Sequence, residues 1–88
     1  MKLKKDFALR QVADTWVVLP LGSATADFNG MLTMNETGAL LWKTLEMSDD
    51  SKVLVEALTS EYTVAVEQAQ NDVEEFLSKL KKVGCLEE

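Results

Sequence analysis

With 88 residues, 47% apolar and 27% charged, the chain has room for one domain around one modest core, and its composition is far from that of a disordered segment. The formal net charge of -6 opposes phosphate backbones and anionic lipid headgroups, so nucleic acid and membrane surfaces are not expected as partners. One cysteine, Cys85, and no histidine leave no intramolecular disulfide and no zinc ligand set, which points to a reducing, cytoplasmic setting and to the absence of metal cofactors.

Three lysines fall within Met1–Lys5, but Asp6, Arg10, Gln11 and Asp14 interrupt the residues after them, so neither a signal peptide nor a membrane span is expected. From Phe7 to Pro20 the chain is rich in β-branched and aromatic residues, and Asp14 divides it into Phe7–Val12 and Thr15–Pro20, which predicts a hairpin. A small, polar stretch then leads through Asn29-Gly30 to Met31–Met34, a third strand. Asn29-Gly30 is also a strong two-residue turn signal, so Thr25–Phe28 pairing with Met31–Met34 stands as an alternative.

From Asn35 the hydrophobic period becomes helical. Asn35 is a good N-cap for a helix over 36–46, with Leu41 and Leu45 on one stripe and Trp42 beside it. Ser48, Asp49 and Asp50 end it, and Ser51 can cap a second helix with Leu54, Ala57, Leu58 and Tyr62 on its apolar face. In the third helix Val66, Ala69, Val73, Phe76, Leu77, Leu80 and Val83 recur at steps of three and four. Its acidic residues lie early and Lys79, Lys81 and Lys82 late, which complements the helix dipole; Gly84 supplies a left-handed cap, and Thr63 is the best available residue to begin it. The predicted fold class is α+β, with a three-stranded antiparallel sheet followed by three helices in a single domain over residues 1–88.

Catalytic chemistry finds little support in this inventory. There is no histidine to act as a base near neutral pH and no phosphate-cradling glycine loop, while Asp49-Asp50 and Glu74-Glu75 are neighbours in sequence that point in different directions from a helix. A DNA-binding winged helix is the rival that the architecture suggests. The third helix, however, presents Glu67, Asp72, Glu74 and Glu75 before its first lysine, which opposes a phosphate backbone.

The run Met34-Asn35-Glu36-Thr37-Gly38-Ala39-Leu40-Leu41-Trp42 resembles the signature of the PqqD-like family, in which a strand ends in Leu-Asn-Glu-Thr-Gly before a helix with an aliphatic-Trp pair. Leu58, Tyr62, Val64, Asp72-Val73, Phe76-Leu77, Leu80 and Gly84 extend the likeness through the last two helices. Met34 stands where the family usually has Leu, a nearly volume-conserving difference. The resemblance implies a winged-helix-like module, not itself an enzyme, that binds the leader region of a ribosomally made precursor peptide and presents it to a modifying enzyme, often a radical-SAM maturase. Asn35 and Gly38 are accounted for structurally, as a helix cap and a close-packing position, and Trp16 and Trp42 as packing residues.

An argument independent of the family leads to the same kind of partner. Arg10 and the preceding lysines guard the first predicted strand, whereas Met31–Met34 contains neither charge nor proline, so its backbone can accept an extended peptide unless a helix or loop covers it. The candidate peptide-binding residues are therefore Met31, Leu32, Thr33 and Met34, with Asp72, Phe76 and Lys79 along one side of the third helix as the facing wall. A structural or regulatory subunit that binds a protein surface is the alternative.

Overall fold

The computed structural model describes residues 2–4, 6–21 and 32–87. Its element order is β1 (Lys2–Leu3), β2 (Phe7–Val12), β3 (Thr15–Pro20), β4 (Leu32–Met34), α1 (Glu36–Met47), α2 (Ser51–Glu61), α3 (Val66–Lys82) and β5 (Leu86–Glu87). This is the expected α+β, winged-helix-like arrangement, with one addition: besides the antiparallel sheet β2-β3-β4, β1 and β5 form a small antiparallel pair.

The hairpin β2-β3 turns at Ala13-Asp14, between the paired residues Val12 and Thr15. Ala13 takes φ 55°, a left-handed conformation that costs a residue with a Cβ about 1–2 kcal/mol. The alternative hairpin through Asn29-Gly30 lies outside the described residues, as does Met31.

The helices close over one face of the sheet. Asn35 caps α1 as expected, its Oδ1 accepting the Gly38 N–H at 2.9 Å, and Leu41, Trp42 and Leu45 are buried. Trp42 is a core residue whose Nε1 has no hydrogen-bond partner among the described residues. Gly38 packs so closely on β4 that a Cβ there would stand 3.1 Å from Met34 Cβ.

The cap of the second helix lies one residue before the expected Ser51. Asp50 is the N-cap, accepting the Lys52 N–H at 2.9 Å, while Ser51 is already helical. Tyr62 does not extend the apolar stripe: the backbone leaves the helix at this residue, placing it at the C-cap, 39% exposed. The cap of α3 is Ala65 rather than Thr63, with no side-chain hydrogen bond.

Ala69, Val73, Phe76 and Leu80 form the buried stripe of α3, whereas Val66 and Val83 at its two ends are exposed. Leu77 is half-buried against the core. A Schellman motif ends the helix, with Cys85 N–H donating to the Leu80 carbonyl at 2.9 Å and Gly84 N–H to that of Lys81 at 3.2 Å, Gly84 at φ 81°. This turn directs the C-terminal segment to the N-terminal one. Leu3 pairs with Leu86, and Lys4 N–H donates to the Cys85 carbonyl at 2.9 Å.

Candidate functional site

The sheet order β2-β3-β4 gives two edges, and they differ in chemistry. Edge β2 carries exposed Arg10, as expected of a guarded strand. Edge β4, Leu32-Thr33-Met34, carries no charge and no proline.

The direction of the β4 backbone is set by the hairpin register. A two-residue loop makes its closing pair, Val12 and Thr15, a hydrogen-bonded pair, and such pairs alternate along an antiparallel ladder. Arg10↔Val17 and Ala8↔Leu19 are then also hydrogen-bonded, so the amide groups of Trp16 and Val18 point the other way, toward β4. Pro20, which has no N–H to give, stands opposite Phe7 at the far end of this ladder. Across the next ladder Trp16 pairs with Met34 and Val18 with Leu32, which occupies the amides of Leu32 and Met34. Thr33, opposite Val17, is left with its N–H and C=O directed away from β3, on the side of β4 where no strand pairs among the described residues.

Side chains alternate with the backbone. Leu32 and Met34, 7% and 8% exposed, enter the core that also contains Val73 and Phe76, whereas Thr33 is exposed. Trp16 packs partly buried against this core, and Lys43 of α1 places its Nζ 4.3 Å from the centre of the Trp16 ring, a cation–π contact.

Asp72, Phe76 and Lys79 share one side of α3, spaced at four and three residues. Asp72 is half-buried and its Oδ1 accepts from Gln68 Nε2 at 2.9 Å; Lys79 is exposed. Phe76 is 8% exposed, so the core claims nearly all of it. Phe76 is thus a member of the buried core that also holds Leu32 and Met34, not a freely exposed contact residue. Toward its N-terminus α3 exposes Glu67, Gln68, Gln70, Asn71, Glu74 and Glu75, a surface unsuited to a phosphate backbone.

Other chemistry-bearing groups are structural. Cys85 is fully buried, and burial pushes its thiol up to about 11, with Lys4 opposing the rise, so no reactive thiolate forms near neutral pH. Among the described residues no three His, Cys, Asp or Glu side chains are grouped to hold a metal ion, and no helix is long and apolar enough to cross a membrane.

An α+β winged-helix-like domain in which, among the described residues, one sheet edge carries no charge or proline is thus the class that the geometry defines. The family model described as coenzyme PQQ synthesis protein D (PqqD) matches residues 15–86, and the chain belongs to that family. A structure of TbiB1 in complex with the TbiA(beta) leader peptide superposes with a TM-score of 0.79 at 24% identity, covering 99% of this chain and 95% of that one. Lasso peptide synthetase B1 complexed with the leader peptide gives a TM-score of 0.73 at 25% identity, covering 92% of this chain and 89% of that one. No curated protein sequence matches the chain.

Proposed function

We propose that this protein is a non-catalytic recognition module that binds the leader region of a ribosomally made precursor peptide and presents it to a modifying enzyme, such as a radical-SAM maturase. The observation that carries the reading is Thr33, whose backbone N–H and C=O face outward on an edge strand free of charge and proline. Family membership and the two leader-peptide complexes among its structural neighbours support the same reading. The leader adds as a further strand beside β4, paired with the backbone of the segment from Met31 through Leu32 and Thr33 to Met34. Met31 contributes from outside the described residues. Asp72 and Lys79 flank the peptide on α3, and Phe76 holds the floor beneath it.

Ordering a disordered peptide costs on the order of 1–2 kcal/mol per residue, so backbone pairing must be supplemented by one or two apolar anchors to reach micromolar affinity. No catalytic step belongs to the module; its contribution is to raise the local concentration of the substrate at the enzyme.

Thr33→Pro is the sharpest test, because it removes an outward N–H and leaves the β3–β4 ladder bonds in place. Losing that bond and stranding its partner carbonyl costs about 1–2 kcal/mol, a loss of about 5- to 30-fold in affinity for the cognate leader peptide. If Thr33→Pro and Lys79→Glu both keep native circular dichroism and both bind the leader as tightly as the parent, the edge is wrong. A linear leader peptide should also shift the NMR signals of Leu32–Met34. A subunit that binds only a folded protein surface would leave them unmoved.

A further inference from the structure

A second surface lies away from the β4 edge, between α2 and α3. It is a groove of about 1260 Å³, open to solvent. Val55, Val66, Val73 and Leu77 form its apolar part, with Val73 buried at the floor and Val66, 53% exposed, at one end. Val66, Val73 and Leu77 fall on one stripe of α3, and the eleven-residue step from Val66 to Leu77 spans about 16 Å at 1.5 Å per residue. That is the length of a three-turn helix. Such a helix lays apolar residues at i, i+3 or i+4 and i+7 into a groove walled by two others.

The rim fixes the sign of the partner. Among the described residues Asp49, Asp50, Glu56 and Glu74 line it against one cation, Lys52. Asp50 also serves as the cap of α2, but its carboxylate charge remains at the groove mouth. An apolar floor under a predominantly anionic rim fits a helix with an apolar face and lysines or arginines along its margins, drawn in by a field that acts over about 10 Å at 0.1 M salt.

We propose that the α2–α3 groove docks a cationic amphipathic helix of the modifying enzyme, leaving the β4 edge free for the leader. The partner's identity as the enzyme rests on the function proposed above; the groove's preference for a cationic helix does not. Separation of the two surfaces lets one small domain hold peptide and enzyme at once, which converts their encounter into an effectively intramolecular one.

The test uses the full chain, labelled with 15N, and a synthetic 14-residue peptide of leucines and lysines at helical spacing. Controls are the same peptide with a central proline and one with glutamates for lysines. Binding should shift the amide signals of 52–59 and 66–77 and leave Leu32–Met34 unmoved. The exposed-site double variant Glu56→Lys/Glu74→Lys should weaken it at least tenfold, as should Val66→Asp, with circular dichroism unchanged and leader affinity intact. The proposal is overturned if shifts appear at β4 or scatter over the surface, if the proline or glutamate peptide binds equally, or if charge reversal changes affinity less than twofold. It is also overturned if the groove signals depend on protein concentration without peptide, because a second copy then occupies it. A cationic helix that binds in the groove of a protein that binds no leader would uphold the groove and sink the leader reading; the converse result would do the opposite.

Discussion

Replacing Gly38 by alanine sets two effects of opposite sign against each other. Within a helix Ala is favoured over Gly by about 0.8–1 kcal/mol, and the gain is smaller here because Gly38 lies in the first turn of α1. Against it, the new Cβ would stand 3.1 Å from Met34 Cβ, 3.4 Å from Met34 Cγ and 3.5 Å from Asn35 Oδ1. Met34 Cβ cannot rotate away, because it is fixed to a backbone paired with Trp16. Relief requires β4 and α1 to separate by a few tenths of an ångström, an overpacking cost of about 1–3 kcal/mol, and it would also stretch the Asn35 cap. The packing cost wins, for a net destabilisation of about 1–2 kcal/mol, which shifts the melting temperature of a domain this size downward by roughly 4–16 °C. Urea denaturation followed by far-ultraviolet circular dichroism measures it directly. A Gly38→Ala protein as stable as the parent, or more so, would refute the close approach of α1 to β4.

Among core leucines, Leu41→Ala should cost about 2–5 kcal/mol, whereas Leu77→Ala, at a half-buried position, should cost about 1–2 kcal/mol; equal losses in denaturation would contradict their different burial. Gly84→Ala meets nothing within 4 Å, so its expected cost of about 1–2 kcal/mol comes from the left-handed backbone alone, and an unchanged midpoint would rule that strain out. Cys85 gives a pH dependence: the unfolded thiol ionises near 9 and the folded one only near 11, so the native state holds the proton longer. Its contribution is constant below about pH 9 and destabilises progressively as pH rises from 9 to 11, by about 2–3 kcal/mol in all. The difference between parent and Cys85→Ala stabilities should therefore vary with pH only in that window, and a flat difference would show that the thiol is not desolvated.

Local chemistry made much of this fold legible. The β-branched runs on either side of Ala13-Asp14, the Asn35 cap and the three-and-four spacing of α3 are short-range signals, set by backbone propensity and by which face must leave water. They yielded the boundaries of β2 and β3, the start of α1, the left-handed cap at Gly84 and an unguarded Leu32–Met34. The choice of Asp50 over Ser51 as a cap was not legible, because both residues can accept the first amides and the path of the chain out of α1 decides between them. Nor was the pairing of β1 with β5: two-residue strands have no measurable period, and only the Schellman turn after α3 brings Leu86 to Leu3. The site divided in the same way. Sequence identified Thr33, Asp72, Phe76 and Lys79 as candidates, but strand order decided that β4 lies at an edge and register decided that Thr33 faces outward. The core, shared by Phe76 with Leu32 and Met34, decided that this ring is buried rather than free on the surface. Edge, register and core membership are relations between segments distant in the chain, and a hydrophobic pattern records only that a residue must be buried, not what it will be buried against.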